Sequence, residues 1–507
     1  MRKIKIDTDY VLNEELILDL IQKHSTEKAR LNKLLRYYKN ENDKITNREY
    51  KNKNKPQNRL SHPYCQYITN TAVGYFLGKP VTYQTEDNKL LESLTDIFRY
   101  NDEADNNTTL AKMASMYGYA YEIMYIDKWA KPRFKAANPA ELIVCYDNTL
   151  EENIVLAVRY YDEEVGEDEV ITRLEIYTKP IQNEQGQVVG NGKLIKGILK
   201  DDAVTLQEEL DCYFDDIPVN VYTNNDELFG DFERVLNLID AYDQTQSDTA
   251  NDFELFTNCM LVVNGELIDD EQAQNLSDIN VIQFLNSDSD AKYLIKNIQD
   301  TALENYKNRL NEDIHKFANV PNMSDENFAS NASGIALKFK LMGLENITGI
   351  KESKFKKGLL RRIELICNFL KIKSNTEYDF TDVEPVFTRN RPVNEVEISQ
   401  MMKDLTGILS EDTILAMHPS VTDIEQEKEN RIKYINLEKD LQQVISQTMS
   451  RQTFISRWQE KEDTEAYKEL EQIALERQLL EDSYDAIDTD YAEEDKEEDK
   501  EEVVEGE

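Results

Sequence analysis

Apolar residues return every three or four positions between residues 11 and 38, at Leu16, Ile17, Leu20, Ile21, Leu31, Leu34 and Leu35, which predicts a helix with one buried face. A second helix is predicted over 61–78, SHPYCQYITNTAVGYFLG, closed by Gly78 with Pro80 beyond it. PVTYQTE then reads as a short strand, and helical spacing resumes over about 88–99 and 107–118. From Tyr119 to Tyr222 the signal becomes β. YAYEIMYI, ELIVCYD, NIVLAVRYY, EVITRLEIYT and KLIKGIL are short runs rich in Val, Ile and Tyr, broken by turn residues such as Gly190-Asn191-Gly192. This order predicts an α+β domain with an antiparallel sheet.

The middle third is more distinctive. Between Asp231 and Phe256, DFERVLNLIDAYDQTQSDTANDFELF sets Phe232, Val235, Leu236, Ile239, Tyr242, Phe253 and Phe256 at helical spacing, enough for a helix about 39 Å long. Its other face carries Asp240, Asp243, Gln244, Gln246, Ser247, Asp248, Asn251 and Asp252, so it is expected to line a solvent channel or to pack sideways against copies of itself. CMLVVNG, NVIQFL and AKYLIKNI make a small β insert, and TALENYKNRLNEDIHKFA returns as a helix with Leu303, Tyr306, Leu310, Ile314 and Phe317 on one face. The polar loop NVPNMSDENFASNASG, residues 319–334, stops it at Pro321 and Gly334. Helical spacing then restarts for about 38 residues, interrupted by Gly343, Gly349 and Gly358. Each glycine costs about 1 kcal/mol relative to Ala in a helix interior, so three of them predict a bend. Beyond Glu395, Met401, Met402, Leu405, Ile408 and Leu409 mark a further helix, Ser410 reads as an N-cap for EDTILAMH, and a charged helical pair follows.

Charge changes the picture. The 507 residues suit about three units at roughly 150 residues each. They carry 59 Lys and Arg against 99 Asp and Glu, a formal charge of −40. Taken whole, that balance opposes binding to a phosphate backbone, which needs clustered cations. The charge is uneven, however. Residues 481–507 hold −13 and are expected to be a disordered acidic tail, whereas residues 28–59 hold +8 and read as a basic arm. No run reaches the roughly 18 apolar residues of a membrane span, and no apolar core of a signal peptide follows the first basic residues, so neither secretion nor a membrane is expected. Cys65, Cys145, Cys212, Cys259 and Cys367 are odd in number and scattered, which fits reduced structural thiols.

Catalytic patterns are weak. GYFLGKP at 74–80 is one residue short of a P-loop and has Pro80 where Ser or Thr should hold magnesium, while GQVVGNGKL at 186–194 is one residue too long. The four histidines, His24, His62, His315 and His418, form no HExxH pattern, and there is no GxSxG. Asp288 and Asp290 lack EF-hand spacing. No catalytic residue, metal site or cofactor is expected. The alternative class is a metal-dependent nucleic-acid-processing enzyme, whose carboxylates would have to come from residues 240–252.

Five strings occur in the order found in one family: LLRYYKNENDKITNR, NRLSHPYCQYITNTAVGYFLGKPVTY, GYAYE at 118–122, LIDAYDQTQSDTANDFELF and MSDENFASNASGIALKFKL. From about Leu31 to Asn430 the chain resembles the portal proteins of tailed bacteriophages, specifically the siphovirus type of Gram-positive hosts. The resemblance implies an α+β portal architecture: a wing of helices and antiparallel sheet, a helical stem, a β-rich clip and a helical crown. Residues 1–60 would be an N-terminal helical and basic arm, 61–230 the wing, 231–257 the stem helix and 258–299 the clip. Residues 300–318 would be the returning stem helix, 319–334 the tunnel loop, 335–400 the bent helix with the wing return, 401–480 the crown and 481–507 the acidic tail.

The same resemblance implies a ring, usually of twelve copies, at the capsid vertex of the virion, assembled in the host bacterial cytoplasm. Double-stranded viral DNA would pass through its axis without being tightly bound. Its other partners would be the terminase large subunit, a head-tail adaptor, and the major capsid and scaffolding proteins. The DNA-facing loop would comprise Asn322, Met323, Ser324, Asp325, Glu326, Asn327, Phe328, Ala329, Ser330 and Asn331. Asp240, Asp243, Asp248 and Asp252 would form an acidic channel face that repels and centres the duplex. Lys338, Lys340, Lys351, Lys354, Lys356 and Lys357, with Arg361 and Arg362, would meet either DNA or acidic groups of a neighbouring copy, and the sequence leaves that choice open.

Overall fold

The computed structural model describes residues 3–49, 56–165, 169–182, 188–201, 203–257, 260–264, 290–294, 300–323, 334–374, 376–390, 395–415, 418, 421, 424–445 and 451–458. Residues Met1–Pro392 form one compact unit and Val393–Glu507 a second. In the first unit, strand β1 (Ile4–Lys5) precedes helix α1 (Glu14–Tyr38), which begins where Asn13 Oδ1 accepts the Leu16 amide at 2.8 Å and where Glu14 and Glu15 face the positive helix end. A short α2 (Asp43–Thr46) and α3 (Tyr64–Leu77) follow, then β2 (Thr82–Gln84), α4 (Asn88–Tyr100) and α5 (Glu103–Tyr117).

Strands β3 (Tyr119–Ile126), β4 (Pro132–Ala137), β5 (Leu142–Tyr146), β6 (Ile154–Val165), β7 (Glu169–Thr178), β8 (Ile181–Gln182), β9 (Val188–Gly190), β10 (Gly192–Lys200), β11 (Ala203–Cys212) and β12 (Val219–Thr223) complete the β region. Six strands form one sheet in the order β1-β5-β6-β7-β10-β11, and three form another in the order β12-β3-β4. All pairings are antiparallel except β1 on β5. The α+β class with antiparallel sheet is therefore as the sequence pattern predicts. Strands β1, β4, β8, β9, β11 and β12 add to the runs read from composition. Two-residue β1 is too short to show alternation, and β11, AVTLQEELDC, is mostly exposed and reads as polar.

Helix α1 bridges two hydrophobic clusters. Ile17 and Leu20 pack on Ile143, Cys145, Leu156 and Val158 of the large sheet, while Leu31, Leu34 and Tyr37 join Cys65, Ile68 and Ala72 of α3. That second cluster also takes in Val235 of the 3-10 turn Glu233–Val235, Leu236 and Ile239 of α6 (Leu236–Thr257), Ile314 of the returning helix Asp300–Ala318, and Leu341 and Leu344 of the long helix Gly334–Ser374. Between α6 and the returning helix, Met260–Asn264 and Asp290–Leu294 pair as an antiparallel ribbon. Beyond the long helix, Glu384–Val386 pairs with β2.

The long helix is clamped by a buried charge network. The Arg362 guanidinium, with no exposed surface, donates to Glu122 from Nε at 2.9 Å and from Nη2 at 2.7 Å. It also reaches Glu103 Oε1 at 3.2 Å and Asn107 Oδ1 at 2.8 Å. Glu122 accepts further bonds from Asn106 (2.7 Å), Asn220 (2.9 Å) and the Tyr222 hydroxyl (3.0 Å), and Glu103 accepts from Tyr83 Oη at 2.5 Å. Phe134 closes the network, its ring centroid 4.3 Å from the guanidinium. Because both carboxylates carry several donors, the desolvated charges are satisfied rather than merely paired.

Two glycines make this clamp possible. Gly118 ends α5 at φ +92°, where a Cβ would lie 1.9 Å from the Leu228 carbonyl oxygen, so the chain turns there into β3 and carries Glu122 inward. Gly358 lies one turn before Arg362, and a Cβ there would sit 2.5 Å from the Tyr222 ring. Close approach to β12 therefore accounts for Gly358. The helix is continuous in hydrogen-bonded structure through all three of its interior glycines.

The second unit contains helices Glu395–Leu405, Glu411–Leu415, Ile424–Ile445 and Arg451–Trp458. Ser410 caps the short one through the Thr413 amide, and Asp440 joins the last two by accepting from Arg457 at 2.8 Å and Trp458 Nε1 at 3.0 Å. The tail at 481–507 and the NVIQFL run lie outside the described residues.

Two stability effects are expected. Arg362→Met strands two buried carboxylates and should cost about 3 to 5 kcal/mol in urea unfolding, whereas replacing the exposed Arg99 should cost under about 0.5 kcal/mol. His24, buried on α1 and 2.8 Å from the Tyr160 hydroxyl, has its pKa lowered to about 4, chiefly by desolvation. A histidine held neutral in the fold contributes stability that is complete above about 6.5 and is lost as pH falls from there toward 4. Urea midpoints measured between pH 7 and 4.5 should therefore fall more steeply for the natural chain than for His24→Gln.

Candidate functional site

Helix α6 presents Asp240, Asp243, Ser247, Asn251 and Glu254 at intervals of three and four, a single polar stripe. That stripe is covered by the same chain. Tyr37 Oη donates to Asp240 at 2.9 Å, and Asn42 donates to Asp243. The His62 amide reaches Asp243 Oδ1 at 3.0 Å and its ring Nδ1 lies 2.7 Å from the same oxygen. The Leu60 amide donates to Ser247 Oγ at 2.9 Å, and Asn58 donates from its backbone to Asn251 at 2.7 Å and from its side chain to Glu254 at 2.8 Å. Residues 58–62 thus lie along the helix like a strand whose donors find side-chain acceptors instead of a sheet edge.

This corrects part of the expected acidic face. Asp243 has no exposed surface, so it does not look into solvent or a channel. Asp240 is half-buried against Tyr37, and burial lifts its carboxyl above the ordinary range despite that hydrogen bond. Asp248 is half-exposed and pairs with Arg48 at 2.8 Å, which brings the basic arm onto the acidic helix. Asp252 is partly exposed. Sequence spacing showed the acids on one helix but not the arm that covers them. Among the described residues no three His, Cys, Asp or Glu side chains converge as metal ligands.

The root of the loop after the returning helix is held by α3. Tyr67 Oη donates to the Pro321 carbonyl at 2.8 Å and accepts from the Met323 amide at 3.1 Å. Its ring meets His315 edge-on at 5.4 Å, Tyr64 meets the same histidine at 5.9 Å, and Tyr64 Oη donates to Asn311 at 2.8 Å. Tyr64 also packs edge-on against Tyr242 of α6. His315 is buried, which lowers its pKa and keeps it a neutral packing ring. Of the ten expected loop residues, Asn322 and Met323 lie at this anchor, and Ser324, Asp325, Glu326, Asn327, Phe328, Ala329, Ser330 and Asn331 lie outside the described residues. Composition gave no sign of Tyr67, although it stands in the helical string over 61–78.

Most cations of the long helix are engaged within the chain. Lys351 pairs with Asp231, both side chains largely covered, Lys354 with Asp226 at 2.5 Å and Lys356 with Glu384 at 2.9 Å. Arg361 bonds Asp216 at 2.5 Å and Glu364 at 2.7 Å, and Arg362 serves the buried clamp. Lys340 is partly buried. Lys338 and Lys357 are exposed and make no ion pair among the described residues. The P-loop-like GYFLGKP sits at the C-terminal end of α3, where carbonyls rather than amides point outward, the wrong polarity for a phosphate.

Comparison with known proteins bears on this arrangement. The family model described as "Phage portal protein, SPP1 Gp6-like" matches residues 17–479. The portal protein of Clostridium phage phiCD119 is 25% identical over 434 residues, covering 79% of this chain and 92% of that protein. The portal protein of Bacillus phage SPP1 is 25% identical over 454 residues, covering 81% of this chain and 84% of its own length.

Tyr67→Phe removes both bonds to the loop root while keeping the ring packed on His315. Losing a hydrogen bond of this kind is worth about 1 kcal/mol, so amide exchange at Met323 should speed up by roughly five- to tenfold while exchange within α3 stays unchanged.

Proposed function

Because the chain belongs to the phage portal proteins of the SPP1 Gp6-like family, we propose that it assembles into a dodecameric ring at one capsid vertex and conducts viral DNA during packaging and ejection. The observation that carries this reading is the family match, which runs from α1 through both stem-type helices, the loop between them and the long helix, and into the second unit. Portal proteins of phages are structural components of the virion, and this chain is proposed to act without catalytic chemistry. The β tip would dock the terminase large subunit and later a head-tail adaptor. The surrounding capsid and scaffolding proteins would contact the wing and crown.

The charge supports a conduit over a clamp. Duplex DNA presents one negative charge per about 1.7 Å, so a passage lined with unpaired cations would hold it and oppose sliding. Here Lys351, Lys354, Lys356, Arg361 and Arg362 are neutralised by acids of the same chain, and the whole carries −40. What remains to face DNA is repulsive and short-ranged, screened within about 8 to 10 Å near physiological salt. Contact with the duplex is assigned to the loop 322–331, whose root Tyr67 holds in place.

Replacing residues 324–331 by a short glycine linker should leave rings visible by negative-stain microscopy while DNA packaging in an infected host falls at least tenfold. A ring-forming deletion that packages DNA normally would sink the loop assignment.

A further inference from the structure

The long helix shows an unpartnered face on its N-terminal half. Phe339, Met342 and Ile350 are each half or more exposed, and with Asn346, Gly349 and Lys357 they fall on one side of the helix. Gly349 is open, since an added Cβ would meet nothing within 4 Å. An exposed helix position gains from Ala over Gly, so a glycine beside large apolar residues fits a second helix approaching closely. The returning helix shows a matching face. Tyr306 and Phe317 are half exposed with Asp313 between them, the same i, i+7, i+11 spacing as Phe339, Asn346 and Ile350. Among the described residues, the side chains of Asp313, Asn346, Lys338 and Lys357 have no hydrogen-bond or ionic partner.

We infer that the Phe339–Met342–Ile350 face of one copy packs against the Tyr306–Asp313–Phe317 face of the returning helix of a second copy. Both stripes are exposed on the same chain, so each is left to meet its counterpart on another copy. The unpaired Asp313 carboxylate supplies the acceptor that Asn346 and Lys338 lack, which selects a second copy over an unrelated apolar partner. Two different, complementary patches on one chain make a head-to-tail contact, and such contacts propagate into a closed ring or an open filament. Closure into a ring rests on the portal reading above, while the contact itself rests on the two faces. Lys338 and Lys357 are thereby assigned to the subunit boundary rather than to DNA.

The test uses the full chain carrying Gly349→Leu or, separately, Ile350→Asp, both at exposed positions where the isolated subunit tolerates the change. Assembly is followed by mass photometry across a dilution series, and folding by circular dichroism melting at concentrations where the chain is monomeric. The expected result is a natural chain that forms rings and variants with unchanged monomer melting whose half-assembly concentration rises at least tenfold. Variants that assemble like the natural chain would overturn this contact and leave the ring reading standing. A natural chain that stays monomeric at every concentration would overturn the ring reading and the contact with it.

Discussion

The structure depends on one buried guanidinium. Arg362 stands on a 41-residue helix and reaches Glu122 on β3 and Glu103 at the start of α5, so one side chain ties the long helix to two consecutive elements that precede it by 240 and 259 residues. Burying three charges carries a desolvation cost that only dense hydrogen bonding offsets, and here Asn106, Asn107, Asn220, Tyr83 and Tyr222 provide it. The geometry admits little slack. Gly118 must be glycine for β3 to carry Glu122 inward, and Gly358 must be glycine for the helix to lie against Tyr222. The clamp fixes the C-terminal half of the helix, while Leu341 and Leu344 seat its N-terminal half in the main hydrophobic cluster and leave Phe339, Met342 and Ile350 exposed on the other side.

A second constraint is electrostatic. Helix α6 carries five acids and no base, and such a face is costly to bring beside another acidic surface. The fold answers locally. The polar stripe is satisfied by Asn42, Asn58, Leu60 and His62, and Arg48 reaches Asp248. The +8 arm and the acidic helix, which look like independent features along the chain, are two sides of one contact. The same logic explains why, among the described residues, six of the basic residues on the long helix meet carboxylates of their own chain.

Much of this was legible in the residues. Helix α1, helix α3, the β runs from Tyr119, the returning helix and the long helix all follow from apolar spacing, because burial of one face imposes that spacing. The string GYAYE is one of the five that carry the family resemblance, and its physical content is Gly118 and Glu122. What spacing does not encode is which polar group meets which. Asp243 and Asp248 are equally acidic in sequence, yet one is buried and the other half-exposed, because the covering segment 58–62 comes from nearly two hundred residues away. Likewise Lys351 and Lys357 look interchangeable, yet Lys351 meets Asp231 while Lys357 is exposed and makes no ion pair among the described residues. Gly358 read as a bend signal, whereas its cause is the Tyr222 ring on another element.

On the proposed reading, this chain works as a ring whose subunits join through the two helical faces and whose cations are largely spent inside each subunit. An electron cryo-microscopy reconstruction of the assembled full-length protein tests it most directly. The expected reconstruction is a closed ring around a channel wide enough for duplex DNA, with Phe339, Met342 and Ile350 covered by a neighbour's Tyr306 and Phe317. A ring with those faces open to solvent and Lys351, Lys354 and Lys356 released from their carboxylates to line the channel would contradict it.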